Sequence, residues 1–360
     1  MKTVVALSGG VDSSVAAALL KNEGRELVGL FMKNWQAQEG ESCSSAADYQ
    51  DALAVATHLD FPLYSVNHSK EYWQKVFKNF LEDYKSGFTP NPDILCNRHI
   101  KFDVFLEDVK NYGASKLATG HYARIKKEQE EYHLYKALDP AKDQSYFLAG
   151  VRAEVLQKLE FPLGEIKKEK VRELATEQKL LTAQKKDSTG LCFIGERKIR
   201  PFLQKFIKAQ KGDFLHYPDG EKVGIHEGSS FYTPGQRKGL ALGGEGEPWF
   251  VHSIDAAKNI VWVLRGAEHP ALFYKGVEFE DLNKLGSFEW PQDLGDSVKL
   301  KAKLRYRQAD QDLELWGPDA RGRQRVVFSQ AQRSPCVGQY IVFYQGDRCL
   351  GGARVNALTK

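Results

Sequence analysis

The sequence is poor in cysteine and has no long apolar run. Of its 360 residues, five are cysteines, an odd number without any CxxC pair, which argues against a disulfide scaffold, a zinc ribbon or a four-cysteine iron–sulfur site. No apolar run approaches the roughly 20 residues that a membrane span needs, and the N-terminus lacks the character of a signal or transit peptide. We therefore expect a cytoplasmic protein without a membrane partner, whose important cysteines are reactive rather than structural.

The chain also lacks a strong excess of charge of either sign. The formal net charge is +4, with 27% charged and 42% hydrophobic residues, a composition typical of a soluble globular protein. Because the total is only slightly basic, binding to nucleic acid cannot be inferred from it and has to come from local clusters of cations.

The N-terminal half alternates strand-like and helix-like segments. The apolar runs TVVAL (3–7) and ELVGLFM (26–32) have the form of strands buried on both faces of a parallel sheet, and the segment between them reads as a helix ended by Gly24. The alternation predicts an α/β fold with a doubly wound parallel sheet in residues 1–150. It continues with helices at 46–59 and 69–85 and strands at 61–66 and 115–120.

The composition then changes twice along the chain. Residues 151–212 are helical and rich in lysine, with an amphipathic stretch at 165–181. Short strands between Gly-rich turns follow. We expect a small β domain over 213–280 and a C-terminal β-barrel over 281–360.

One segment of the predicted barrel has the pattern of an RNA-binding strand. In KLKAKLRYR (299–307) cations alternate with apolar residues, so a single strand would place five cations on one face, namely Lys299, Lys301, Lys303, Arg305 and Arg307. Such a face suits a phosphate backbone. The alternative is an ordinary solvated outer face of the barrel.

The turn after the first predicted strand has the chemistry of an anion site. SGGVDSS (8–14) places glycines, hydroxyls and one carboxylate where a strand ends and a helix begins, and backbone N–H groups at a helix start attract phosphate. The Walker pattern with its lysine is absent, and so is a GxGxxG after a strand. What remains suits a pyrophosphate, with Asp12 as a possible magnesium ligand.

The loop resembles the pyrophosphate loop of the ATP pyrophosphatases, which activate a carbonyl oxygen by adenylation. That superfamily includes enzymes with several activities, and two cysteine motifs in this sequence indicate one of them. FTPNPDILCNRHIKF (88–102) and KKDSTGLCFIGER (185–197) resemble signatures of the tRNA-specific 2-thiouridylases. Further blocks similar to that family lie at 118–125, 139–148, 231–240 and 343–355.

The resemblance implies a reaction that the residue chemistry also favours. Replacing a carbonyl oxygen with sulfur needs a better leaving group, which adenylation supplies as AMP, and transferable sulfur, which a cysteine persulfide supplies. The resemblance implies adenylation of O2 of the wobble uridine (position 34) of tRNA by ATP and its replacement by sulfur, giving 2-thiouridine, AMP and pyrophosphate. Cys192 would carry the persulfide. Cys96 would attack C2 or release hydrosulfide, and Asp93 would act as a general acid/base or orienting group.

The resemblance also implies binding residues and partners. The cofactors would be ATP and Mg²⁺, without an iron–sulfur cluster or zinc. The partners would be tRNA, expected to be the lysine, glutamate and glutamine acceptors, and a persulfide-donating sulfur-carrier protein or cysteine desulfurase. The implied ATP residues are Ala6, Leu7, Ser8, Gly9, Gly10, Val11, Asp12, Ser13, Met32 and Gly120; the target base would touch Asn91, Pro92 and Asp93; and tRNA would touch His121, Lys142, Asp143, Gln144, Arg305, Tyr306 and Gln339.

Two other classes of function stay open at this point. The first is an amide-forming enzyme of the same superfamily, which would not need Cys96 or Cys192. The second is a non-catalytic RNA-binding protein that kept the nucleotide fold. For Asp93 the alternative is a helix N-cap. Pro234 and Cys336 depart from the family pattern and put local loop geometry in doubt.

Overall fold

The computed structural model describes residues 2–35, 44–187 and 199–360. The α-helices are α1 (Val11–Asn22), α2 (Ser44–His58), α3 (Ser69–Tyr72), α4 (Lys78–Lys85), α5 (Pro92–Cys96), α6 (Phe105–Asp108), α7 (Ser145–Leu148), α8 (Lys168–Glu177) and α9 (Ile199–Leu203), with π-helical turns at Trp73–Phe77 and Asn97–Val104. Short 3₁₀ turns lie at Val109–Tyr112, Ala153–Lys158, Ser229–Phe231 and Pro270–Leu272.

The strands of the described residues fall into three sheets. In chain order they are β1 (Lys2–Ala6), β2 (Glu26–Lys33), β3 (Leu63–Asn67), β4 (Lys116–Ala118), β5 (Ala123–Glu128), β6 (Glu131–Lys136), β7 (Leu159–Glu160), β8 (Gly212–His216), β9 (Lys222–His226), β10 (Trp249–Asp255), β11 (Ile260–Arg265), β12 (Phe273–Phe279), β13 (Asn283–Lys284), β14 (Ser297–Lys303), β15 (Gln311–Trp316), β16 (Gln324–Arg333), β17 (Tyr340–Gln345) and β18 (Arg348–Thr359).

The first sheet is the predicted doubly wound parallel sheet. Its order is β3-β2-β1-β4-β7, and every pairing is parallel. The central strand is buried on both faces, with Val4 and Val5 both at 0% exposure, which explains its continuous apolar run. Strand order reverses between β1 and β4. In doubly wound sheets, ligands commonly bind at the carboxyl ends of the strands at such a reversal. This confirms the predicted fold.

The helices around this sheet follow from local sequence. Helix α1 packs against the sheet through small residues, and Ala16, Ala17 and Ala18 are buried. It ends before Gly24, which has a φ of +75°, as predicted. Helix α8 is shorter than the amphipathic stretch 165–181, because Ile166 N–H bonds to the carbonyl of Leu163 (3.1 Å) in a turn before it and Lys179, with a φ of +52°, lies beyond its end.

The C-terminal part is all β, as predicted. A four-stranded sheet has the order β10-β11-β8-β9, with β8 and β11 parallel. Beyond it, antiparallel strands β12-β16-β15-β14-β17-β18 form a barrel that the β12–β18 pairing closes. Leu315, Val326, Ile341 and Phe343 fill its core and are fully buried. Closure removes the exposed sheet edges that would otherwise invite association.

A hairpin from the first half of the chain joins this barrel. Strands β5 and β6 pair with each other, and β6 then pairs with β18 through Tyr135 and Leu134. Lys136 Nζ donates to Asp310 (2.5 Å) and lies 4.5 Å from the ring of Tyr344. The hairpin therefore ties the barrel to the parallel-sheet domain, a connection that sequence periodicity does not reveal.

The predicted strand with five cations on one face is wrong. Strand β14 ends at Lys303, and the chain turns before Arg305. Lys301 lies 3.4 Å from Asp312 on the paired strand, and the Lys303 side chain is only 12% exposed. Neighbouring carboxylates neutralise these lysines, so the strand does not present a row of free cations.

Lys303 contributes instead to the junction between the two parts of the protein. Its Nζ lies 3.7 Å from Asp143, whose side chain is 3% exposed. We predict that Lys303→Gln lowers the free energy of unfolding by about 1–3 kcal/mol, because Asp143 loses a buried cationic neighbour. The midpoint of urea unfolding measures the change. Lys301→Gln is the exposed control and should leave the midpoint unchanged; equal midpoints for both variants would contradict the assignment.

Candidate nucleotide and RNA site

The loop between β1 and α1 is held by its own hydroxyl groups. Ser8 N–H donates to Ser13 Oγ (3.2 Å), and Ser13 Oγ–H donates to the carbonyl of Gly10 (3.0 Å). The first N–H groups of a helix have no partner within the helix and carry its positive dipole end. The loop therefore places the first backbone N–H groups of α1 at the end of β1, an arrangement that suits an anion.

Two glycines let other segments approach this loop closely. Gly9 has a φ of +74°, and a Cβ there would lie 2.2 Å from the carbonyl oxygen of Asp48. A Cβ on Gly120, just after β4, would lie 2.7 Å from the amide nitrogen of Ser13. The ends of β1 and β4 therefore meet at the loop. Met32 is the penultimate residue of the adjacent strand β2. The residues predicted for ATP thus gather at the strand-order reversal.

A network of charged side chains contacts the loop at Asp12. Asp12 Oδ1 accepts hydrogen bonds from Tyr122 Oη (2.7 Å) and Lys168 Nζ (2.6 Å). The same Nζ lies 2.7 Å from Asp187, which also accepts from Lys142 Nζ (2.7 Å). Burial opposes ionisation of Asp187, but the hydrogen bonds from Lys142 and Lys168 prevail and lower its pKa to about 2. The carboxylate is therefore ionised throughout the neutral range.

A second lysine reaches the loop from the opposite side. Lys185 Nζ donates to the carbonyl of Gly9 (2.9 Å) and to the carboxylates of Asp48 (2.8 Å) and Asp51 (2.6 Å). Sequence reasoning missed Lys168, Lys185, Asp187 and Tyr122, because nothing in the loop motif points to residues so far along the chain.

The carboxylate of Asp12 fits one magnesium contact. Lys168 and Tyr122 occupy Oδ1, whereas Oδ2 has no partner among the described residues. No cluster of three or more His, Cys, Asp or Glu residues able to hold a metal occurs in the described ranges. Magnesium commonly binds through one or two carboxylates together with substrate phosphates and water. Asp12 would therefore hold the ion jointly with ATP.

The predicted catalytic helix is short and capped. Helix α5 starts with Pro92, and Asn91 Oδ1 accepts the N–H of Ile94 (3.2 Å) as its N-cap. The alternative role of Asp93 as N-cap is therefore wrong; Asp93 lies in the first helical turn. Cys96 ends α5, and a π-helical turn follows at once, a distortion that is frequent at functional sites.

Cys96 lies inside an aromatic cluster. Its side chain is 1% exposed and shares this cluster with Tyr72, Phe77, Phe202 and Leu203. Phe202 and Leu203 belong to α9, the first described helix after residues 188–198. Cys192 falls outside the described residues, so the predicted pairing of the two thiols stays a prediction.

The described flanks of the Cys192 segment lie at two different parts of the site. Asp187 belongs to the charged network at the phosphate loop, and α9 packs on the Cys96 cluster. The chain between them, 188–198, carries Cys192. The described residues on either side of this segment therefore belong to the network at the β1–α1 loop and to the cluster around Cys96.

Several residues predicted to touch tRNA meet at the junction of the domains. Tyr306 Oη donates to the carbonyl of Lys142 (3.4 Å), and its ring centroid lies 4.4 Å from that of Phe147. Arg305 donates to the carbonyl of Ser334 (2.6 Å). Lys142 and Tyr306 are therefore neighbours despite their separation in sequence.

Other predicted tRNA residues have internal roles in this structure. Asp143 is buried and accepts from the N–H groups of Ala137 and Ser145, at 3.1 Å each. Gln144 Oε1 accepts from Tyr122 N–H (2.9 Å). The ring of His121 lies 5.6 Å from that of Phe102. RNA contact by these three side chains stays a prediction.

The fold and the loop define a nucleotide-binding α/β domain of the ATP pyrophosphatase type, followed by two β domains. The family model described as tRNA methyl transferase HUP domain matches residues 1–196, the tRNA methyl transferase PRC-barrel domain matches 200–265, and the aminomethyltransferase beta-barrel domain matches 281–355. These models cover the three parts of the chain in order.

Curated relatives narrow this class. The chain is 46% identical over 358 residues to the tRNA-specific 2-thiouridylase MnmA of Shouchella clausii, covering 99% of this chain and 97% of that protein. It is 45% identical over 360 residues to the same-named protein of Halalkalibacterium halodurans, covering 100% of this chain and 95% of that protein. The chain belongs to the tRNA-specific 2-thiouridylase family.

A solved structure shares part of the fold at low identity. The U34-tRNA thiolase NcsA from Methanococcus maripaludis with its [4Fe-4S] cluster is 18% identical, with a TM-score of 0.36, covering 57% of this chain and 64% of that chain. The expected absence of an iron–sulfur cluster and of zinc from this chain stays a prediction. None of the helices in the described ranges has the length and apolarity to cross a bilayer.

The network around Asp12 predicts a role for Lys168 in nucleotide binding. Lys168→Met should weaken the affinity for ATP and magnesium about 10-fold, since Asp12 and Asp187 would face the phosphates without their shared cation, and one charge-assisted bond is worth roughly that factor. Isothermal titration calorimetry measures the change. Lys170→Met is the matched control, because Lys170 is half-exposed on the same helix and, within the described part of the chain, pairs only with Glu173 and Glu177. Equal affinities for the two variants would rule out the role.

Proposed function

We propose that this chain is an ATP-dependent tRNA 2-thiouridylase that replaces O2 of the wobble uridine with sulfur from a persulfide on Cys192. The observation that carries the proposal is the position of the flanks of the Cys192 segment, one at the phosphate loop and the other on the Cys96 cluster. Membership of the family supports the same reaction.

Adenylation explains the loop. Oxygen at C2 of uracil is a poor leaving group, and its attack on the α-phosphate of ATP forms an O–P bond and breaks the bond to pyrophosphate. The loop amides would hold the phosphates, while Lys168 and Lys185 supply positive charge beside them. Magnesium, when bound at Asp12, would neutralise charge on the departing pyrophosphate.

Two thiols are the minimum for the sulfur step. In one route the Cys96 thiolate attacks the inner sulfur of the Cys192 persulfide, forming a Cys96–Cys192 disulfide and releasing hydrosulfide. Hydrosulfide then adds at C2 and expels AMP, and an external thiol reduces the disulfide for the next cycle. Direct attack of Cys96 on C2 is the alternative route. Asp93 is partly exposed in the first turn of the same helix and would orient the base or move its proton.

Substrate and donor follow from the resemblance of the sequence motifs. We propose the lysine, glutamate and glutamine tRNAs as acceptors, and a sulfur-carrier protein or cysteine desulfurase as the persulfide donor, with the reaction in the cytoplasm. The wobble uridine would have to leave its stack to reach Asn91, Pro92 and Asp93.

The two alternative classes of function explain fewer features. An amide-forming synthetase would use the loop but has no need of a cysteine at the end of α5. A non-catalytic RNA-binding protein has no need of a preformed phosphate loop bridged by Lys168. Thiolation uses both features.

Nucleoside mass spectrometry of tRNA incubated with the protein, ATP, magnesium and a persulfide donor tests the reaction. We expect 2-thiouridine with the parent enzyme and none with Cys96→Ser or Cys192→Ser. A persulfide-trapping assay should separate the two variants: Cys192→Ser fails to load sulfur, whereas Cys96→Ser loads it and does not complete the transfer.

Cys336→Ser is the matched control for the thiol assay. Cys336 is buried, and burial raises the pKa of its thiol, so it should not react and its replacement should keep thiolation. Full activity of Cys192→Ser with a protein donor would refute the two-thiol scheme. Adenylation of tRNA without any need for either cysteine would favour the amide-forming alternative.

A basic surface for the RNA backbone lies elsewhere than on β14. Among the described residues, Arg237, Lys238, Arg305 and Arg333 are exposed and have no carboxylate within ion-pair distance. These cations lie along β10. The segment that carries Arg237 and Lys238 is joined to β10 by the bond from Gly235 N–H to the carbonyl of Val251 (2.8 Å). Arg305 Nη2 donates to the carbonyl of Arg333 (3.2 Å), and the Arg333 guanidinium lies 4.8 Å from the Phe250 ring of β10. We propose that this edge contacts tRNA phosphates.

Charge removal on this edge should change the salt dependence of tRNA binding. Arg237→Gln, Lys238→Gln and Arg333→Gln combined should weaken binding and reduce the log–log salt slope by about 2 units, since each lost phosphate contact removes roughly 0.7–0.9. Filter binding at several salt concentrations measures the slope. Lys222→Gln with Lys258→Gln removes paired cations of the same domain and should leave it unchanged; an unaltered slope in the triple variant would exclude the surface.

A further inference from the structure

A turn of the barrel holds the chain segment that leads into the catalytic helix. Gln339 lies immediately before β17, and its side-chain amide makes two bonds to that segment. Gln339 Oε1 accepts from Asn91 Nδ2 (3.2 Å), and Gln339 Nε2 donates to the carbonyl of Pro90 (3.1 Å). One barrel side chain therefore bonds to the backbone of Pro90 and to the side chain of Asn91.

The backbone around Gln339 is built for this contact. Thr89 N–H donates to the carbonyl of Val337 (2.9 Å), and a Cβ on Gly338 would lie 3.0 Å from the carbonyl oxygen of Thr89. Gly338 has a φ of +91°, so glycine meets both the close approach and the backbone conformation. Gly338 N–H donates to the carbonyl of Val355 on β18 (2.9 Å). The turn is thus anchored to the barrel wall.

Asn91 connects this contact to the helix that carries Asp93 and Cys96. Asn91 is 8% exposed, and its amide is engaged at both ends: Oδ1 caps Ile94 N–H (3.2 Å), while Nδ2 bonds to Gln339. The capped helix contains Asp93 and ends at Cys96. A change at Gln339 would therefore alter the position of the cap and of the helix that it begins.

We propose that Gln339 is a positioning residue for thiolation, which holds the helix of Asp93 and Cys96 in place through the Asn91 cap. This inference rests on the proposed function and deepens it. It differs from the RNA contact expected for Gln339 from resemblance, because it acts in the protein before tRNA binds. Its main effect is on the chemical step rather than on tRNA affinity.

Single-turnover thiolation at saturating tRNA, tRNA affinity and hydrogen exchange of the free protein together test the proposal. For Gln339→Ala we expect a rate about 10-fold lower, because of its two bonds only the one to Asn91 acts on the helix cap, and one hydrogen bond is worth roughly that factor. The affinity for tRNA should stay within about 2-fold. Hydrogen exchange in peptides covering 91–97 should become about 10-fold faster, because local opening of the helix becomes easier. ATP affinity and thermal unfolding confirm that the variant is folded.

Gln330→Ala is the matched control, because Gln330 is an exposed glutamine of the same barrel and should change none of these quantities. A double-mutant cycle uses Asn91→Asp, which keeps the capping oxygen and removes the donor to Gln339. The loss in the double variant should be clearly smaller than the product of the two single losses.

The outcomes separate this inference from the proposed function. Weaker tRNA binding with an unchanged saturating rate and unchanged hydrogen exchange would make Gln339 an RNA contact only and overturn the positioning role. Multiplicative losses in the double variant would do the same. If the parent protein does not thiolate tRNA, the proposed function fails, while hydrogen exchange still decides whether Gln339 holds the helix.

Discussion

The candidate nucleotide site depends on the contacts of the Lys168 ammonium group with two carboxylates. This group lies between the carboxylates of Asp12, at 2.6 Å, and Asp187, at 2.7 Å. Without it, Asp12 would face a polyphosphate with no cation beside it among the described residues, whereas Asp187 would keep Lys142 and Arg172. Like charges repel strongly at such short distances. The same cation joins the phosphate loop to Asp187, after which the chain runs toward Cys192. One largely buried ammonium group therefore connects the start of α1 with the end of the described segment 44–187.

The C-terminal barrel packs against the domain that carries the candidate nucleotide site. It contacts the parallel-sheet domain through the β5–β6 hairpin, through the buried Asp143–Lys303 pair and through Gln339. Each contact ends near residues with a predicted role in binding or catalysis. The hydrogen bonds that join Gln339 to Pro90 and Asn91 cross the domain boundary immediately before α5.

Prediction from the sequence succeeded where the structure depends on contiguous residues. The strand, glycine-rich turn and helix of residues 3–22 were predicted almost to the residue, because buried parallel strands and helix starts have strong local patterns. It failed at KLKAKLRYR, where alternation suggested one long cationic strand. The turn after Lys303 and the carboxylates of Asp143 and Asp312 decide the outcome there, and neither is visible from period-two spacing.

The sequence by itself determined the fold class, the phosphate loop, the two cysteine motifs and, through their resemblance, the family, because each depends on short segments whose residue types state their chemistry. Only the tertiary structure decided which cations contact the loop, which lysines are neutralised and which barrel residue contacts the start of α5. Lys168 and Lys185 reach Asp12 and Gly9 from more than 150 residues away in sequence, and Gln339 meets Asn91 across 248. Such contacts arise from the packing of whole domains, and no local pattern encodes the distance between two side chains so far apart in the chain.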